Sequence, residues 1–312
     1  MDRRTFVTVV AGTCLLEPLV VRAQQSAQVY RIGHLRVGTF PRIDAFFDTM
    51  RKLGWIEGQN FKIEPRYADN VGQLPMLATE LVQRKVDLII TNGTPATLAA
   101  KQATTTIPIV FLLASDPVQN GVVVSLARPG GNLTGFSNGL YGEKMLEVLK
   151  AALPGLSRVA VPLGSESPAI SSAARLLGMQ VLDIEMRSPE ESGAFFAGAR
   201  KAGADAALIP DIASFFPHLQ RIAAEATRSR MPSIGCARFF AESEGLLSYG
   251  PMPLNPQRLA AQIDKIFKGA KPGDLPVELP TRFELVINLK TAKTLGLTIP
   301  QSLLLRADDL IQ

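Results

Sequence analysis

The chain is poor in the residues that most often build metal and redox chemistry. Its 312 residues include 2 Cys, 2 His and 1 Trp, and aromatic residues make up 6%. So few Cys and His exclude a Cys/His zinc site. Cys14 lies in the N-terminal leader described below, so a mature chain keeps only Cys236 and forms no internal disulfide. In an oxidising compartment such a lone thiol is expected to be buried and inert. Charged residues are also sparse, at 20%, and the net charge is only +5. No basic stripe interleaved with aromatics is present, which argues against nucleic acid as a partner. The chain has neither a G-x-x-x-x-G-K-[ST] phosphate loop nor a G-x-G-x-x-G dinucleotide fingerprint, and no nucleophile elbow is expected. Paired carboxylates such as Glu190-Glu191 and Asp308-Asp309 are sequence neighbours whose side chains diverge. No enzyme activity, metal or cofactor is therefore expected.

What is present begins with a leader. Arg3 and Arg4 precede the apolar stretch Val7 to Leu16, and Val21-Arg22-Ala23 supplies small residues for cleavage after about Ala23. These are the three regions of a secretory signal, and the Arg pair before Thr5, Phe6 and Val7 resembles a twin-arginine leader. The stretch is shorter than the roughly 20 apolar residues of a membrane span. Loss of residues 1 to 23 removes three basic and two acidic residues and lowers the net charge from +5 to +4. Export to the periplasm is the expectation.

Hydrophobic residues at 46% describe an ordinary globular chain, and its length suits two domains of roughly 100 to 150 residues each. From Val29, short apolar runs ("VYRIGHL", "FKIEPRYA", "VDLIIT", "IPIVFLL") alternate with segments whose apolar residues recur every three or four positions. Near-continuous apolar strands between helices predict an α/β fold with parallel sheets covered on both faces. Pro and Gly break the pattern at 127 to 138 and at 250 to 256, and strand and helix alternate again between the breaks. Two α/β lobes are expected. The first spans 29–136 plus about 251–280, and the second about 139–249 plus about 281–312, with the breaks read as crossings.

In open α/β sheets ligands bind beyond the carboxyl ends of the strands, where helix N-termini present free N–H groups. Four such ends carry polar residues. "TNGTPATLAAKQA" follows the run "VDLII", with Gly93 allowing close approach, Thr94 as the expected N-cap and Pro95 in the first turn. "LLASDPV" places Ser115 and Asp116 after the next strand, and Pro117 favours extended or turn backbone at Asp116. His34 and Arg36 end the first strand, and Asp211 ends one in the second half. Each residue alone is an ordinary turn or cap former. Together, an acidic group on one wall and a helix N-terminus on the other suit a zwitterion such as an amino acid. His218 reads as a residue on a helix surface.

Several long stretches carry a resemblance: "GWIEGQNFKIEPRYADN", "LPMLATELVQRKVDLIITNGTPATLAAKQATTTIPIVF", "SDPVQNGVVVSLARPGGNLTGFSN", "GLLSYGP" and "FELVINLKTAKTLGLTIPQSLLLRAD". They resemble the ABC-transporter substrate-binding proteins of the tryptophan/phenylalanine-binding type, over nearly the whole mature chain. The resemblance implies the type I periplasmic binding-protein fold, with two Rossmann-like lobes joined by a hinge, a small ligand between them and an ABC permease as partner. Transferred by position, it puts Thr94 and Asp116 on the first wall, Ser137 and Asn138 at the hinge, and Asp211 with the Gly235-Cys236-Ala237 turn on the second. The first loop, "HLRVGTFPRID", departs from the family, being shorter and carrying His34 where an aromatic or small residue is common. The implied function is delivery of a small ligand, an amino acid and possibly an aromatic one, by a monomeric receptor. The alternative is a sensor of the same fold that signals closure to a kinase.

Overall fold

The computed structural model describes residues 29–39, 43–139, 141–163, 168–212, 215–252 and 255–312. The leader, its cleavage site and part of the first loop lie outside the described residues.

The two lobes each hold one sheet. In the first, β1 (Tyr30–Val37), β2 (Phe61–Ala68), β3 (Leu88–Asn92), β4 (Ile109–Ala114) and β5 (Leu133–Ser137) lie in the order β2-β1-β3-β4-β5, all parallel. In the second, β6 (Arg158–Pro162), β7 (Gln180–Ile184), β8 (Ala206–Ile209), β9 (Ser233–Gly235), β10 (Leu247–Pro251), β11 (Phe283–Asn288) and β12 (Asp309–Ile311) lie in the order β12-β11-β10-β9-β8-β6-β7. Here β10 and β11 pair antiparallel while the other pairs are parallel. The short strand β12 and this antiparallel pair go beyond the single closing strand and helix read from the sequence.

The period of two sorts the strand side chains of the first sheet into two cores. Leu35, Ile89, Phe111 and Leu133 face the helices Leu74–Gln83 and Thr94–Ala103. Ile32, Ile90, Val110, Leu112 and Phe136 face the helices Asp44–Lys52 and Pro256–Phe267. The latter helix starts as its sequence dictates, with Asn255 Oδ1 accepting from the Gln257 N–H at 2.9 Å and Pro256 in the first turn. Its Leu259, Ala260, Ile263 and Ile266, spaced by one, three and three, bury against Phe46 and Met50 of the earlier helix. Each fully buried side chain of this size contributes about 1.5–3 kcal/mol, and Ile263→Ala would cost about 2–5 kcal/mol. Late sequence thus completes the first lobe, and the segment after it stays there: Glu278 N–H donates to Gly135 O at 2.9 Å.

The chain consequently passes between the lobes three times: after Ser137, between Pro251 and Pro256, and between Glu278 and Phe283. The Pro/Gly-rich stretch at 127–131, read from sequence as part of a crossing, instead closes an edge of the first lobe, with Gly130 N–H donating to Gly273 O at 3.2 Å. The passage itself starts at Asn138.

Candidate functional site

A cavity of about 650 Å³ opens between the lobes. His34, Asn92, Leu112 and Leu113 enter it from the carboxyl ends of the first sheet, and Asn138 and Tyr141 from the first crossing. Asp211, Phe216 and Cys236 to Phe239 close it from the second lobe. Most of its surface is apolar, as an arm extends between the helix Asp44–Lys52 and β2 past Phe46, Phe47, Ile63 and Tyr67.

The imidazole on the first-lobe wall is neutral. His34 is paired with Pro65 and Ile90 on its flanking strands, so it shares the Ile32 face of β1. Its Nε2 lies 2.8 Å from Asn92 Oδ1, and the Tyr67 ring stands edge-on at 5.7 Å and 87°. Burial, with Arg36 nearby, lowers the imidazole to about 4 against the opposing effect of the Asn92 bond, so the ring is uncharged at neutral pH. Leu113 takes φ +59 where the β4–β5 register slips between Leu112 and Ala114. A branched residue in this region costs on the order of 1–3 kcal/mol, a strain that gathers at binding sites. The slip turns the Leu113 carbonyl to accept from Asn138 Nδ2 at 3.3 Å.

The second wall and the crossing carry the buried carboxyl. Asn138 Nδ2 also donates a short bond to Asp211 Oδ2, and Asn138 Oδ1 is buried without a hydrogen-bond partner among the described residues. Burial pushes the Asp211 carboxyl up to about 6. The same burial raises the Tyr141 phenol and the Cys236 thiol, with Asp211 adding to both. A buried carboxylate beside an orphan amide oxygen presents acceptors only, and a cation satisfies both.

Seven of the nine expected site residues fall into two groups. Asn138, Asp211 and Ala237 line the cavity. Gly93, Thr94, Ser115 and Asp116 form a neighbouring cluster behind Asn92 and Leu113. Gly93 rather than Thr94 is the N-cap, at φ +80, a conformation glycine adopts without penalty. Its N–H donates to Leu112 O at 2.8 Å. Thr94 is the first helical residue, and its Oγ1 accepts from the Ser115 N–H at 3.2 Å. The N–H groups of Thr94 and Ala96 lie in the first turn, where no intrahelical acceptor exists. Asp116 is left-handed at φ +33 instead of extended, and its Oδ1 accepts from the Gln119 N–H at 3.1 Å. Arg36 is buried within the first lobe, its Nε donating to Val37 O at 3.2 Å, and does not line the cavity.

Ser137 has the G-x-S-x-G spacing of a nucleophile elbow within Gly135 to Gly139, contrary to the expectation that none occurs. Its environment differs from that of a nucleophile. The hydroxyl is buried, donates to Ala114 O at 2.8 Å and accepts from the Gly139 N–H at 3.0 Å, which fixes the first crossing. His218 is an exposed cap of the helix Leu219–Arg228.

Asn92 and the apolar arm were not singled out in the sequence. Asn92 was detectable: it stands two residues after Ile90 and so shares the His34 face.

The model of the family described as ABC transporter substrate binding protein matches residues 40–311. The chain belongs to this family. Among curated relatives, this ABC transporter substrate-binding protein is 26% identical over 288 residues to a tyrosine-binding protein of Clostridioides difficile (strain R20291), covering 85% of this chain and 81% of the relative. A conserved domain protein from Vibrio cholerae O1 biovar eltor str. N16961 superposes with TM-score 0.81 at 24% identity, over 91% of this chain and 99% of the other. An ABC domain from Streptococcus pneumonia in complex with L-Trp gives TM-score 0.78 at 25% identity, over 91% of this chain and all 100% of that one. Proteins of this ABC transporter family bind small molecules, and this substrate-binding protein is not an enzyme. No helix among the described residues is long and apolar enough to cross a membrane.

Proposed function

We propose that the protein is an exported receptor of an ABC importer that closes its lobes on an amino acid with a bulky, aromatic side chain. The observation that carries this reading is the buried acceptor pair of Asp211 and Asn138 Oδ1, on two residues that line an apolar, aromatic-rich cavity. In the proposed pose the ligand ammonium meets Asp211 and Asn138. Its carboxylate points towards the N–H groups at the start of the helix Thr94–Ala103, which stand behind the Asn92 and Leu113 lining, with Ser115 and Asp116 at the flank and Ser137 holding the crossing in place. The side chain fills the apolar part of the cavity, past Phe46, Phe47 and Tyr67 of the first lobe and Phe216, Phe239 and Ala237 of the second. Arg36 supports the strand end from within the lobe.

The energetics suit such a ligand. Moving a two-state equilibrium from 1:99 to 99:1 needs about 5.5 kcal/mol of differential affinity, and a micromolar complex has about 8 kcal/mol in total. A ligand that touches both lobes has that differential built in, because the open form offers it only one wall. The closed receptor then docks on a permease at the outer face of the membrane as a monomer. The relatives named for tyrosine and L-Trp support the ligand class.

A thermal-shift screen of the mature protein against amino acids and organic acids tests this reading, since a ligand that binds the folded state raises its melting temperature with concentration. Tryptophan or tyrosine should give the largest shift. A melt unmoved by any amino acid overturns the ligand class.

A further inference from the structure

The first-lobe wall holds a polar atom to which the amino-acid reading gives no task. An amide oxygen can only accept, so in the 2.8 Å contact with Asn92 Oδ1 it is His34 Nε2 that carries the proton. In the uncharged ring Nδ1 is then an unprotonated acceptor. No described residue hydrogen-bonds Nδ1, and His34 lines the cavity, so its lone pair is left to accept from a group held there. The same lining carries the apolar side chains of Ile63, Ile90 and Phe47. The Tyr67 edge and the Asn92 amide hold the ring from two sides and so fix which nitrogen faces inward.

We infer that His34 is the specificity-determining residue of the cavity. Its Nδ1 accepts a hydrogen bond from an N–H or O–H on the aromatic ring of the ligand, with Asn92 as the positioning residue that sets the tautomer. An indole or phenol ring satisfies the nitrogen. A plain benzyl ring leaves it dry and unpaired, and sites built to hydrogen-bond a substrate group reject analogues that lack it. The inference rests on the proposed reading only in that the cavity admits an aromatic ring.

Titration calorimetry with L-tryptophan, 1-methyl-L-tryptophan, indole and 1-methylindole tests it, on the wild type and on His34→Phe. The wild type should favour each N–H form over its N-methyl form by about three- to tenfold, the size of one net hydrogen bond. In His34→Phe, which keeps an aromatic surface but no acceptor, the two ratios should fall to about one. Equal binding of the N–H and N-methyl forms by the wild type overturns the inference without any variant, which covers the case of a variant that does not fold. A ratio that persists in His34→Phe overturns it too, because the preference is then steric. If none of the four probes binds, no ring reaches His34 and the inference falls. If indole shows the preference while tryptophan does not bind, His34 has its role and the amino-acid reading is the one that fails.

Discussion

The two walls of the cavity solve opposite problems. The first-lobe wall surrounds His34 with aromatic and aliphatic side chains, and burial keeps its imidazole neutral, at about 4. At the second wall an equally enclosed carboxyl, Asp211, is raised to about 6 by burial and stays ionised at neutral pH without a cationic partner among the described residues. Desolvation acts on both groups, and in each case favours the uncharged form. For the histidine that form is already the neutral-pH state. The aspartate at neutral pH is instead held charged against the gradient, which suits the proposed role of meeting the ligand ammonium.

The sharpest way to break this contrast is to neutralise the second wall. Asp211→Asn should weaken binding of an ammonium-bearing ligand at pH 7 by about 30-fold or more, because losing one partner of a buried charge pair costs about 2–5 kcal/mol. Calorimetry with L-tryptophan measures it, and an unchanged dissociation constant refutes the assignment. Acidification should do the same reversibly. Below about 6 the protonated carboxyl no longer attracts the ammonium, so affinity in the wild type should fall towards tenfold per pH unit, while Asp211→Asn should show no such slope. The sign for the ligand-free fold is the reverse. A carboxyl raised above its unfolded value contributes stability at low pH and loses it as pH rises through about 6. Thermal melts across pH 4 to 7 should therefore show the ligand-free wild type losing stability relative to Asp211→Asn.

A smaller effect is expected at the helix start. Thr94→Ala removes the oxygen that accepts from the Ser115 N–H, freeing the loop that flanks the proposed carboxylate cradle. Affinity should drop by about two- to tenfold, the range of one net hydrogen bond, with the melting temperature of the ligand-free protein nearly unchanged. Wild-type affinity in this variant removes Thr94 from the site.

The smallest expected change lies at the rim. Gly38 has φ +70, and a Cβ there would come within 3.1 Å of Pro217 Cγ in the other lobe. Gly38→Ala should therefore lower stability by about 1 kcal/mol and hold the lobes slightly apart. Small-angle scattering should report a marginally larger radius of gyration for the ligand-free variant, and an unchanged profile would show that the loop yields instead.

Much of this architecture was legible because it depends on periodicity. Apolar runs such as "IPIVFLL" announce buried parallel strands, and Asn255-Pro256 marks a helix start whose cap the structure shows atom by atom. Polar residues at strand ends were legible as a group, but of these only His34 and Asp211 line the cavity, while Asn138 and Ala237 in its lining came from the family resemblance. Side-chain direction was not legible in a residue-by-residue reading. Thr94 and Asp116 look like open caps, yet each is tied to a local N–H. The apolar arm was hidden because Phe46, Ile63 and Tyr67 read as core and strand residues. Only the gap between a helix and β2 turns them into a lining. The slip at Leu113 had no sequence signal, since leucine is not a residue that advertises a positive φ.

Three passages between the lobes have a mechanical consequence. Because the number is odd, β1 ends up in one body and β12 in the other. Under the proposed closure the two ends of the fold separate or approach as the cleft opens or shuts, as two jaws attached to different handles. Load applied between β1 and β12 would then work against retention of the proposed ligand, and dyes fixed near those strands would report capture as a change in length.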